Sequence, residues 1–259
     1  MRSGFLELFT ENKPVIGVIH MKGTVLDNVM SHAKEEIKIY LKHGVDGILF
    51  DNYCGNYDQL ESVLTYVRGQ NVQLPIGVHV LHVDALSFHL AQKFSLEFLQ
   101  VDSVVGHSTA RDEHSMQVFF DLYRQNCDAK VIGSLRVGQD DDLAGSALCT
   151  DLRSAMMRYD AIRLSGTKEV KKQMEEKLQW FRDELIEFPV ILSETNEDNF
   201  IKYIELWDVA LIDTAFKEPS KRTGRINEKY VKHLMERIRL HRKSKRTHNE
   251  NAGRLQLQY

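Results

Sequence analysis

The sequence predicts a single-domain (β/α)8 TIM barrel. Three observations carry that prediction: eight short apolar runs that each break off at a polar or charged residue, a helix-patterned stretch after each run, and a length of 259 residues, close to the roughly 250 that one such barrel uses. The runs are Val15–Ile19 ending at His20, Gly47–Phe50 ending at Asp51, Ile76–Val78 ending at His79, and Phe98–Val101 ending at Asp102. Four more follow: Val131–Leu135 ending at Arg136, Ala161–Leu164 ending at Ser165, Val190–Leu192 ending at Ser193 and Glu194, and Val209–Ile212 ending at Asp213. In a parallel barrel the C-terminal strand ends face one mouth and build the active site.

The intervening stretches supply the helices. Ahead of the first strand, Phe5, Leu6, Leu8 and Phe9 within Gly4–Thr10 suit a short lead-in helix against the barrel bottom. Asp27–His43 carries Val29, Ala33, Ile37 and Tyr40 near one face and is closed by Gly44 as C-cap. Tyr57–Arg68 ends at Gly69, and Pro75 opens strand three where it removes no ladder bond. Helices are further expected at Asp84–Phe94, Asp112–Asn126, Leu152–Tyr159, Lys168–Leu185, Glu197–Leu206 and Asn227–His241. The least regular connection, from Gly138, contains Asp140-Asp141-Asp142, which reads as a helix-capping run. The chain is thereby divided into a lead-in helix at 1–12, the barrel at 13–240, and a polar tail at 241–259 expected to lack structure.

Composition narrows the function classes. A hydrophobic share of 42% allows one large core, and a net charge of -3 gives no global field toward nucleic acid or an anionic membrane. The cluster Arg239, His241, Arg242, Lys243, Lys245 and Arg246 reads as cations complementing a helix C-terminus, because the interleaved aromatics of a single-strand binder are missing. No apolar run approaches the roughly 20 residues of a membrane span, and no signal-peptide core opens the chain, so a cytoplasmic protein is expected. Cys54, Cys127 and Cys149 are odd in number with no CxxC, which suits reduced thiols better than a disulfide framework or a thiolate zinc site. The sequence names no cofactor. The expected partner is a small polar substrate, with homo-oligomerisation left open and no specific nucleic acid or membrane partner.

Ionisable groups at strand ends are unusual for packing, since burying them without partners costs several kcal/mol. His20, Asp51, His79 and Asp102 are the catalytic candidates, the histidines as general acid and base and the aspartates orienting them. Period-two alternation places Ile16 and Val18 beneath His20 in the interior, and Gln100 beneath Asp102. The run His79-Val80-Leu81-His82-Val83-Asp84 admits two other readings: a His/carboxylate metal site, or His82 and Asp84 capping the next helix. No HExxH supports the metal reading, and no metal ligands are assigned. Asn52, His82, His107, Arg136, Ser165, Thr167, Glu194, Asp213, Thr214 and Lys217 are expected around the substrate. Arg136 and Arg163 suit an anionic group, although a barrel arginine can instead snorkel outward. Thr214, neighbouring amides and Lys217 suit a phosphate, whereas Glu194 after strand seven would repel one.

Several segments in order resemble the BtpA/SgcQ family of barrel proteins: Lys13–His20, Gly44–Leu49, Pro75–Leu81, Asp84-Ala85 and the closing Asp213–Lys217. The resemblance runs from about Lys13 to Arg237. It implies a (β/α)8 fold in a group some of whose members are described as photosystem I assembly or stability factors and others as sugar- or nucleoside-metabolism proteins. The chain departs from the family pattern in places. Met21-Lys22-Gly23-Thr24 replaces a proline-rich loop, Asp51-Asn52 replaces Glu-Asn, and His79 and His82 replace an asparagine and an arginine. Ser193-Glu194-Thr195 stands where the family has Gly-Ser-Gly. The expected function is therefore an enzyme acting by His/Asp acid–base chemistry on a small polar sugar- or nucleoside-like molecule, phosphorylated ones included. Two alternatives accompany it: a non-catalytic assembly or binding factor, and a metal-dependent hydrolase.

Overall fold

The computed structural model describes residues 4–105, 113–135, 146–165, 174–184, 188–193 and 197–256. Its eight parallel strands close into a barrel: β1 (Val15–His20), β2 (Gly47–Asp51), β3 (Ile76–His79), β4 (Phe98–Val105), β5 (Lys130–Leu135), β6 (Ala161–Ser165), β7 (Val190–Ser193) and β8 (Val209–Ile212). Each follows its neighbour in chain order, and β1 pairs with β8 to complete the ring. Between them run α1 (Leu26–His43), α2 (Tyr57–Arg68), α3 (Asp84–Lys93), α4 (Glu113–Arg124), α5 (Ser146–Arg158), α6 (Met174–Glu184) and α7 (Glu197–Lys202); α8 (Glu228–Gln256) closes the chain. A two-stranded hairpin, β9 (Lys217–Glu218) and β10 (Arg225–Ile226), stands between β8 and α8.

The strand alternation sorts the core into two populations. Ile16, Val18, Leu49, Phe98, Ile132, Ala161, Ile191, Val209 and Leu211 pack together inside the barrel, with Phe5 and Phe9. Their chain neighbours, among them Val15, Ile19, Ile48, Phe50, Val131, Ile162, Leu192 and Ile212, join the larger core beneath the helices. This is the period-two consequence of covering both faces of a parallel sheet. Gly77 belongs to the interior because a Cβ there would lie 2.1 Å from the Phe98 ring, which occupies that space. Gly44 ends α1 with φ 66°, the left-handed C-cap expected of it.

Three expectations need correction. The lead-in segment forms only a single 3-10 turn, Leu6–Leu8, whose flanking Phe5 and Phe9 are buried. Strand four does not stop at Asp102 but continues to Val105 past a register shift between Gln100 and Val104. Asp102 therefore sits within an irregularity, where a bulge re-aims the side chain. The last helix also outruns its expected end at His241, since α8 runs on to Gln256. Arg242 is buried and donates to Asp46 Oδ2 at 2.6 Å and to the Lys13 carbonyl at 2.8 Å, while Lys245 pairs with Glu205 at 3.0 Å. Those anchors hold the helix past its expected end, and a polar composition does not prevent a helix that is pinned by tertiary contacts. No helix among the described residues is long and apolar enough to cross a membrane.

Candidate active site at the C-terminal face of the barrel

Following each interior column upward by two residues changes its chemistry from apolar to polar. Above Ile16 and Val18 comes His20, above Leu49 Asp51, above Gly77 His79, above Phe98 Gln100, above Ile132 Ser134, above Ala161 Arg163, and above Val209 and Leu211 Asp213. Alternation along parallel strands thus delivers a polar lid onto an apolar core.

On the β1–β2–β8 side, His20 is clamped between two carboxylates. Its Nδ1 faces Asp51 Oδ1 in a short hydrogen bond, and its Nε2 faces Asp213 Oδ1 at 2.8 Å. Asp51 Oδ1 also accepts from the Tyr53 backbone at 3.0 Å, and the Tyr53 ring lies 5.2 Å from the imidazole. Asp213 accepts from Lys217 Nζ at 2.5 Å and meets Arg222 Nε at 3.4 Å. Burial pushes the His20 pKa down, but the bonds to Asp213 and Asp51 outweigh it and raise the value, so His20 is held as an imidazolium donating on both sides. Asp213 moves the other way: burial opposes ionisation, yet His20 and Lys217 bring its pKa well below the usual carboxylate range. Lys217 is wholly buried, which lowers its pKa against the pull of Asp213. Behind this group Lys22 and Glu36, both buried, pair at 2.7 Å.

On the β3–β4 side the arrangement is more open. Gln100 Nε2 donates to His79 Nδ1 at 3.2 Å, which places the imidazole proton on Nε2, and that N–H donates to Asp102 Oδ1 at 3.0 Å. Asp102 Oδ2 accepts from the His82 backbone at 2.5 Å. Burial raises the Asp102 pKa, but His79 and His82 more than offset it and bring the value to about 2. The Asp102 side chain is 31% exposed, against 5% for His79, so the carboxylate is the member of the pair that faces solvent. Asp102 also borders a cavity of about 550 Å3 walled by Val83, Met116 and Phe119.

His20, Asp51, His79 and Asp102 therefore all lie at one mouth, in two separate pairs. Asn52 joins them structurally, since its Oδ1 accepts from the Leu81 backbone at 2.8 Å and ties the β2 and β3 exits together. Lys217 departs from expectation: with no exposed side-chain surface and a bond to Asp213, it braces the site rather than presenting a cation to substrate. Thr214 is buried, with its carbonyl accepting from Ser220. The His82 ring is 89% exposed, because a left-handed backbone (φ 68°) turns it outward while its N–H holds Asp102. Asp84 opens α3, and its Oδ1 accepts from the Asp102 backbone at 2.7 Å. His107, Arg136, Thr167 and Glu194 lie outside the described residues, as does the side chain of Ser165.

Sequence reasoning passed over Ser134, Tyr53, Arg222 and the Lys22–Glu36 pair, and left Arg163 between inward and outward readings. The alternation signal would have found two of them, since Ser134 and Arg163 stand two residues beyond interior Ile132 and Ala161. Arg163 Nε donates to Ser134 Oγ at 3.2 Å. For a metal, the donors are already committed: both nitrogens of His20 and of His79 are hydrogen-bonded. Among the described residues no group of three or more His, Cys, Asp and Glu side chains is arranged to hold an ion.

A closed eight-stranded parallel barrel with ionisable side chains gathered at its C-terminal end defines the class, a TIM-barrel protein with its site where barrel enzymes carry theirs. The chain belongs to the BtpA family, whose model matches residues 11–240. No curated protein matches it. Among solved structures it is similar to N-acetylneuraminate lyase from Fusobacterium nucleatum, with a TM-score of 0.59 at 9% identity over 96% of this chain and 80% of that one. It is also similar to phosphoribosyl anthranilate isomerase from Thermococcus kodakaraensis, with a TM-score of 0.56 at 13% identity over 88% of this chain and 99% of the other. A third is 7,8-dihydropteroate synthase from Vibrio fischeri, with a TM-score of 0.56 at 11% identity over 88% and 93%. At such identities the likeness establishes the fold alone.

Proposed function

We propose that this BtpA-family barrel is an enzyme that uses His/Asp acid–base chemistry at its C-terminal face on a small polar molecule of the sugar or nucleoside kind. The observation that carries the reading is the pairing of two histidines in opposite electrostatic settings above one apolar core. His20 lies between two carboxylates and is held as a cation, while His79 lies between an amide donor and one carboxylate with its proton on Nε2. Titratable groups whose environments differ in this way are the usual basis for dividing acid and base roles.

In this reading His20 is the proton reservoir. A substrate oxygen that takes the place of Asp213 at Nε2 receives a hydrogen bond from an imidazolium whose other nitrogen is anchored by Asp51. Asp102 is the proton acceptor that touches substrate, with His79 fixing its direction. At a pKa of about 2 it is a weak base in the open site. Burial already acts on it in the upward direction, and a substrate that covers the mouth and excludes water adds to that push. The size of the neighbouring cavity, about 550 Å3, suits a small molecule better than a polymer.

The test is turnover on a panel of sugars, nucleosides and their phosphates. Asp102→Asn and His20→Gln should each reduce the responding activity by about 100-fold or more, the range for removal of a positioned acid or base. Activity that survives both substitutions would sink the assignment.

A second reading rests on a different surface. Val118 and Leu122 on α4 and Met156 and Met157 on α5 are exposed at 53%, 58%, 41% and 72%. Such side chains on adjacent helices favour a protein-binding role of the assembly-factor kind. Purification as a lone monomer, unchanged by Leu122→Lys and Met157→Lys, would count against it.

A further inference from the structure

Among the described residues the carboxylates of the mouth are all engaged, and one cation is bonded only to a hydroxyl. Asp51 is bonded to His20 and the Tyr53 backbone; Asp213 serves His20, Lys217 and Arg222; Asp102 serves His79 and the His82 backbone. Arg163 stands on β6 two residues above interior Ala161, and among the described residues its guanidinium bonds a single partner, the Ser134 hydroxyl, through Nε. A guanidinium offers five N–H donors in a planar fork. Four of them thus lack a partner among the described residues, in a setting where an unpaired charge is costly.

A second guanidinium lies within electrostatic reach. Arg222 projects from the β9–β10 hairpin, packs its charge 5.1 Å above the Tyr53 ring and reaches Asp213 only at 3.4 Å, with 54% of its side chain exposed. The two arginines act on one another. Burial lowers the Arg163 pKa most, Asp102 opposes the fall, and Arg222 adds to it. Two like charges at an open mouth, one of them with no hydrogen-bonded carboxylate among the described residues, suit an oxyanion.

We propose that Arg163 and Arg222 grip an anionic group of the substrate, a phosphate or a carboxylate, at the barrel mouth, with Ser134 orienting the Arg163 fork. This rests on the enzymatic reading for the identity of the site, and it names the chemical class of substrate that reading lacks. Arg163 accepts two oxygens in the bidentate manner that a planar fork favours. Arg222, long and exposed, closes from the loop side.

The probes are inorganic phosphate and acetate, titrated separately into the full chain in low-chloride buffer and followed by protein NMR. Saturable shifts with at least one anion are expected. Arg163→Gln should weaken that binding by roughly tenfold or more, the loss of a charge-assisted hydrogen-bonded pair. Arg222→Gln, an exposed substitution with little bearing on folding, should weaken it by a smaller factor. Tighter phosphate points to a phosphoryl group, and acetate binding as tight or tighter points to a carboxylate; both support the grip. Absence of saturable binding of either anion to the unaltered chain overturns it, as does unchanged affinity in a folded Arg163→Gln or in Arg222→Gln. Binding is read without turnover, so the two proposals fail separately. Anion binding with no activity on the panel sinks the enzyme reading alone, and activity without arginine-dependent anion binding sinks this one alone.

Discussion

The two histidine pairs occupy equivalent positions on their strands, yet their surroundings differ. His20 on β1 is enclosed by Asp51, Asp213, Lys217 and the Lys22–Glu36 pair, and it is 2% exposed. His79 on β3 is 4% exposed, but its partner Asp102 opens toward a cavity of about 550 Å3. The difference teaches that a histidine at a barrel strand end is defined by what faces it. Two carboxylates make it a donor on both sides; one amide and one carboxylate make it a prop for a carboxylate that meets solvent.

That contrast can be broken or sharpened. The largest effect is expected from Lys217→Met, which strips a wholly buried cation from Asp213. Breaking a buried ion pair from one side costs about 3 kcal/mol or more, so urea unfolding should show a large fall in midpoint. A change under about 1 kcal/mol would mean that the β8 exit is not a closed ion cluster.

Next comes the acid limb of stability. Asp102 has a folded pKa of about 2 against an ordinary 3.8, so its contribution is complete above the unfolded value and disappears as pH falls through the folded one. At 1.36 kcal/mol per unit this amounts to roughly 2 kcal/mol lost between about pH 4 and pH 2. Asp102→Asn should flatten that part of the curve; an unaltered curve would show that His79 does not hold the carboxylate.

A smaller effect of opposite sign belongs to His20. Its folded pKa lies above the ordinary 6.5, so its stabilisation is complete below 6.5 and is lost as pH rises through the folded value. Histidine NMR titration should find the His20 resonance shifting at a pH above the ordinary 6.5. A midpoint below 6.5 would remove the imidazolium from the β1 pair. Smallest of all, His82→Ala should stay within about 0.5 kcal/mol in stability, because the ring is 89% exposed and stands 3.8 Å from Asp102, while the backbone N–H that bonds Asp102 is kept.

Much of the barrel was legible in the sequence because a sheet covered on both faces needs continuous apolar runs, and their ends are marked by the first polar residue. The alternation also put Ile16 and Val18 beneath His20, as observed, whereas Gln100, expected beneath Asp102, bonds the His79 ring. The β4 irregularity left no such mark, since Phe98–Val105 reads as two short pieces around Asp102 and either piece could have ended the strand. The direction of Arg163 was hidden for another reason: a long amphipathic side chain suits either face of a sheet until its neighbours are known.

What the sequence determined by itself is therefore the local grammar: eight apolar runs, Gly44 at the end of α1, and the polar residues standing at the strand exits. Periodicity encodes these because each depends only on residues a few positions apart. Only the tertiary structure decided which of those residues act together. Asp213 meets His20 because β8 closes on β1, 193 positions away, and Lys217 turns from an expected ligand for substrate into a buried brace for the same reason. Charge states follow from that closure, since burial and opposing charges arise between elements that no local pattern connects.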